Sequence, residues 1–110
     1  MKASLLTKLE ALADRHQEVA VLLSDAAVIN DQNGFRDLSV EFAHLNDVVA
    51  QYQRWQQLQA ELGDARQLLE DSDAEIKALA TEEIAEASAA LDEIESALQV
   101  LLLPSDPNDG

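Results

Sequence analysis

Glu41-Phe42-Ala43-His44 is the place in this sequence where residue types and spacing come nearest to a known chemistry. A glutamate and a histidine three apart on a helix share a face, and helical di-iron sites use two such pairs with two further inward glutamates. The chain has two histidines, and the residue three before the other one, His16, is Ala13. A second pair cannot be made, so no metal site is expected, and His44 is assigned to the surface or rim. His16 stands at an apolar position of a helical seam. It is expected as a partly buried histidine, hydrogen-bonded at the edge of a bundle.

Other chemistries find less support. Tyr52 and Trp55 lie three apart on one helical face, a spacing that suits core or boundary packing better than ligand stacking. There is no glycine-rich phosphate loop, no Ser-His-Asp set and no Cys-His pair. Paired acids abound, but on an acidic helix they say nothing about acid–base catalysis. No catalytic residue and no cofactor is expected, and an enzyme is the least expected class.

Charge bounds the partners. Asp and Glu number 22 against 7 Lys and Arg, for a formal net charge of −15. Such a surface repels phosphates, which disfavours DNA, bare RNA and anionic membranes, and it attracts basic protein surfaces. The absence of cysteine removes disulfides and thiolate metal sites and fits a reducing cytosol. Lys8, Glu10, Asp14 and Arg15 interrupt any signal-like apolar core near the N-terminus. No apolar run approaches the roughly 20 residues that span a bilayer, so a cytoplasmic protein is expected.

The elements that must carry these residues are helices. Through residues 31–70 apolar positions recur at Phe35, Leu38, Phe42, Leu45, Val49, Tyr52, Trp55, Leu58, Leu62, Ala65 and Leu69. This is the seam of a helix packed on other helices, about 60 Å long if continuous. Its alternation of threes and fours breaks between Val49 and Leu58, which shifts the seam around the helix. The packing is expected to change there from three helices to two. Before it, Leu5, Leu9, Leu12, His16, Val19 and Leu23 form a shorter seam. Between them Val28 and Ile29 are expected to tuck in as one short turn, with Asn30 or Asp31 capping the long helix. After it, Ser72-Asp73-Ala74-Glu75 suits a capping box led by Ser72. The last helix runs through Ile76, Ala80, Ile84, Ala87, Leu91, Ile94, Leu98 and Leu101.

Helices are thus expected at about 4–23, 32–70 and 73–102, within a helical domain of residues 1–103 followed by a linker at 104–110. Short connections make neighbouring helices antiparallel. The expected fold is all-α: an elongated antiparallel three-helix bundle formed by residues 5–23, 35–55 and 87–102, with a protruding two-helix coiled-coil arm at about 56–86. Residues 1–60 carry eight acids and five bases, whereas residues 61–110 carry fourteen acids against Arg66 and Lys77. The arm and last helix therefore hold most of the negative charge. Asp64, Glu70, Asp71 and Glu75 are the candidate protein-docking residues.

Three stretches resemble the N-terminal domain of bacterial peptide chain release factor 1, a class I translation termination factor. They are Ser4-Leu5-Leu6-Thr7-Lys8-Leu9-Glu10-Ala11-Leu12 with Arg15-His16-Gln17-Glu18; residues 31–45, centred on Phe35-Arg36-Asp37-Leu38-Ser39-Val40-Glu41-Phe42-Ala43-His44-Leu45; and Leu98-Gln99-Val100-Leu101-Leu102-Leu103-Pro104-Ser105-Asp106-Pro107. The last is the most specific. The resemblance implies a helical docking and regulatory domain of a cytoplasmic factor that ends translation at stop codons on the ribosome. It further implies a position near the stalk base of the large subunit and association with the class II release-factor GTPase. In that family a Pro-x-Thr tripeptide reads the codon and a Gly-Gly-Gln motif triggers hydrolysis. Neither occurs here, so the sequence is expected to be a fragment that stops in the linker before the decoding and catalytic domains.

Charge adds an expectation of its own. The acidic arm should meet protein, and any RNA contact should fall to Lys2, Lys8, Arg15, Arg36 and Arg54. The alternative is a stand-alone acidic helical adaptor or chaperone-like coiled coil. A helical metal or redox protein is a distant third.

Overall fold

The computed structural model describes residues 1–102. Among them the fold is all-α: α1 spans Ala3–Leu22, α2 Ala26–Ile29, α3 Gln32–Leu68 and α4 Ala74–Leu101. The leucine–proline junction and linker expected from Leu103 onward lie outside the described residues. The chain divides into two compact units, residues 1–50 and residues from Gln51 on. The division falls inside α3, beside Tyr52.

In the first unit α1 buries Leu9 and Val19, and the N-terminal half of α3 buries Leu45 and Val48. Leu5, Leu12, His16 and Leu23, the other members of the first seam, are half-buried. α1 ends where the Leu23 N–H bonds the Val19 carbonyl at 2.9 Å and Ser24 Oγ donates to the Val21 carbonyl at 2.7 Å. Asp25 then caps α2, its Oδ1 accepting from the Ala27 N–H at 2.8 Å. The expected tuck of Val28 and Ile29 is half met. Val28 is half-buried and Ile29 is 52 % exposed, because neighbours on a helix point about 100° apart and one short turn can turn only one of them inward.

Asp31 precedes α3, and its carbonyl accepts from the Phe35 N–H at 2.8 Å. Its carboxylate lies over Gly34, where a Cβ would come within 2.5 Å of Oδ2. Phe35 stays 38 % exposed although the periodicity places it on the seam. Val48 is buried and Val49 only half-buried, so the break in alternation contracts to the steps between Tyr52, Trp55 and Leu58.

In the second unit the rest of α3 buries Tyr52, Leu58, Leu62 and Ala65, while α4 buries Ala80, Ala87, Leu91, Ile94 and Leu98. The short connection at residues 69–73 makes the two segments an antiparallel hairpin. α3 stops at Leu68, two residues before the expected end. The N–H groups of Leu69, Glu70 and Asp71 bond the carbonyls three residues back, at 3.1 to 3.2 Å. This tightening of the last turn is common at helix ends, and it leaves Leu69 39 % exposed.

The expected capping box needs correcting. Asp73, not Ser72, is the N-cap of α4, with Oδ1 accepting from the Glu75 N–H at 2.9 Å. Asp71 Oδ1 in turn accepts from the Asp73 N–H at 2.8 Å. Two aspartate turns in series position the start of the helix, and Ser72 is left exposed.

Candidate functional site

The four candidate docking acids all belong to the second unit and to the end of the hairpin. Asp64 is exposed on α3, Glu70 is exposed in the connection, and Glu75 is exposed in the first turn of α4. Asp71 is half-buried, and its carboxylate is engaged with the Asp73 backbone. It therefore combines charge with a structural duty. Among the described residues no cluster of three or more His, Cys, Asp or Glu side chains could hold a metal ion.

The Glu-x-x-His spacing on α3 is resolved differently in the first unit. Glu41 faces Arg15 of α1: Arg15 Nε donates to Oε2 at 2.7 Å and Nη2 donates to Oε1 at 2.9 Å. Arg15 Nη1 also lies 3.2 Å from Glu18 Oε1. The hydrogen bonds from Arg15 hold the Glu41 carboxyl below its ordinary range, against the opposing push of partial burial, with the guanidinium charge adding to the downward shift. The bond to Glu41 in turn raises Arg15 further above its ordinary value. Both oxygens of Glu41 are thus taken by one fork-shaped donor. His44 is exposed, on the surface as the spacing argument expects.

His16 is half-buried and fills its seam position with ring and hydrogen bond together. Its ring stacks on Phe42, with centroids 4.7 Å apart and planes 23° apart. Nε2 lies 2.6 Å from Asn46 Oδ1 and donates to it. Tyr52 and Trp55 also stack, at 6.2 Å and 22°, as packing residues.

Sequence reasoning missed the partners Asn46 and Glu41. Partners 26 and 30 residues apart leave no local pattern, because only the approach of α1 to α3 brings them together. It also grouped Arg15 with the free bases, although the fold binds Arg15 to two glutamates. Lys2, Lys8, Arg36 and Arg54 remain exposed.

No helix among the described residues is long and apolar enough to cross a membrane. No solved structure matches the chain. The family model of the PCRF domain matches residues 12–110. That match takes in both units, the hairpin with its acids and the Arg15–Glu41 pair, and it agrees with the resemblance carried by the leucine–proline junction. The chain belongs to the PCRF domain family, the domain of peptide chain release factors, which act in translation termination on the ribosome.

Proposed function

We propose that this is the N-terminal docking and regulatory domain of a cytoplasmic class I release factor, with its acidic hairpin turned toward protein and not RNA. The observation that carries this is the charge asymmetry. Fourteen acids against two bases in residues 61–110, compared with eight against five in residues 1–60, confine the repulsion of phosphate to one part of the chain. Asp64, Glu70 and Glu75 present that charge to solvent. The partners this reading names are a basic protein surface at the stalk base of the large subunit and the class II release-factor GTPase. Any RNA contact falls to Lys2, Lys8, Arg36 and Arg54, since Arg15 is held by Glu18 and Glu41. The domain acts by binding and carries no catalytic group. Codon reading and peptide release belong to other parts of the factor, because these 110 residues hold neither a Gly-Gly-Gln nor a Pro-x-Thr motif.

The test neutralises the hairpin end in the full-length factor with Asp64→Asn, Glu70→Gln, Asp71→Asn and Glu75→Gln. The amide introduced at position 71 keeps the acceptor oxygen that orders the turn. Ribosome association followed by stopped flow should slow about tenfold at low salt and lose much of its salt dependence, with GTPase-dependent recycling slowed in parallel. Association and recycling at wild-type rates would refute the proposal.

A further inference from the structure

The hairpin of the second unit carries a groove on one side. Its floor is Leu58 of α3 with Ala87 and Ala90 of α4, and its rim is Glu61, Glu83 and Glu86, around a cavity of about 260 Å³. Arg54 of α3 also lines it. The groove exists because alanine at 87 and 90 adds nothing beyond Cβ where a larger side chain would fill the space between the helices. The rim glutamates are exposed. Among the described residues none of these carboxylates is held in an ion pair.

The same face continues toward the connection. On α4 the sequence Leu79, Glu83, Glu86, Ala90 advances by four, three and four residues, a single stripe along a helix. On α3, Arg54, Leu58, Glu61 and Leu68 follow a matching stripe. Leu79 is 64 % exposed and Leu68 43 %. One face therefore offers an uncovered apolar patch and, beside it, an acid-rimmed cleft with an apolar floor. From Leu79 to Ala90 it runs about 17 Å, or three helical turns.

The geometry points to a docking site for a basic amphipathic helix of a protein partner. Its apolar residues cover Leu68 and Leu79. A lysine or arginine one or two turns along lays its methylene stem on Leu58, Ala87 and Ala90, and places its charged head among Glu61, Glu83 and Glu86. Long basic side chains are suited to such a split environment, and helix-in-groove recognition uses this spacing of anchors. Charge complementarity selects this occupant. A nucleic acid is repelled by the rim. A second copy of this chain brings the same negative charge. A wholly apolar helix would strip water from three carboxylates without pairing them. The inference rests on the reading that the hairpin meets protein, and it supplies the chemistry of that protein's contact.

The test uses the whole 110-residue chain, labelled with 15N, and a fluorescein-tagged lysine–leucine amphipathic peptide of about four helical turns. A glutamate–leucine peptide of the same pattern is the control. Amide shifts should concentrate at residues 54–61, 68 and 79–90. By anisotropy, Glu83→Gln/Glu86→Gln should weaken binding about tenfold and Leu79→Ser about threefold, whereas Glu82→Gln/Asp92→Asn, which removes equal charge outside the groove lining, should change it less than about twofold. Equal weakening by the two charge pairs, shifts spread over the whole surface, or equal binding of the glutamate–leucine peptide would overturn the proposal. Slow ribosome association of the hairpin-end variant alongside a failed peptide test removes only this groove. Wild-type association alongside a groove-mapped peptide removes only the ribosomal assignment.

Discussion

Arg15 and Glu41 are the residues whose role changes most once the helices are in place. A glutamate three before a histidine suggests a metal ligand, yet in the fold both oxygens of this carboxylate accept from one guanidinium. The pair also fixes a pH dependence. Glu41 is held below its ordinary value of 4.5, so it binds fewer protons folded than unfolded near that pH. Its contribution to stability is complete above the unfolded value and is lost as pH falls through the lowered folded value. Glu41→Gln should therefore be less stable than the natural sequence at pH 7, and the gap should close as the pH drops below 4.5. The pair is about one-third exposed on each side, so high salt should narrow the gap as well. Urea titrations followed by the fluorescence of Trp55, the single tryptophan, measure both effects. A gap as wide at pH 3 as at pH 7 would contradict the assignment.

The start of α4 shows how competing caps are decided at the scale of an element. Ser72 and Asp73 are both good N-caps, and Glu75 lies three after the first, so local pattern favours Ser72. The tightened end of α3 instead presents Asp71 to the Asp73 N–H, and this places Asp73 to receive the Glu75 N–H. A carboxylate there also meets the positive end of the helix dipole. Asp73→Ala should cost about 1 kcal/mol, and Ser72→Ala should stay within about 0.5 kcal/mol of the natural sequence. Equilibrium denaturation of the two variants separates the caps, and the reverse order would restore the capping box. The short helix α2 obeys the same logic, with Asp25 as its cap and one inward residue in its single turn.

For the whole molecule, the seam of α4 is legible from spacing alone, since Ala80, Ala87, Leu91, Ile94 and Leu98 are buried and Ile76, Ile84 and Leu101 are half-buried. Leu98 is fully buried while Val100, two residues on, is 66 % exposed. Leu98→Ala should cost about 2–5 kcal/mol through lost burial and the cavity left behind, while Val100→Ala should stay within about 0.5 kcal/mol. Thermal unfolding by circular dichroism reads the contrast, and similar losses at both sites would show that the seam is misplaced. The long seam of α3 was read less well. Phe35 and Leu69, at its ends, are partly exposed, and Val48 is buried more deeply than Val49. Periodicity locates a stripe, but whether its ends are covered depends on which partner segment reaches them.

Helices, their seams, the surface placement of His44 and the acidic bias of the second half follow from residue order, because each is a property of neighbours within one or two turns or of composition. The partners of Arg15 and His16, the choice of Asp73 as cap and the groove beside Leu79 came only from the folded chain. The first and the last depend on segments that no short-range pattern relates, whereas the cap is settled between near neighbours by the bonds at Asp71 and Asp73, which only the folded turn selects over Ser72. The Glu-x-x-His spacing illustrates the division. Residue order places Glu41 and His44 on one helix, but the approach of α1 commits Glu41 to an arginine.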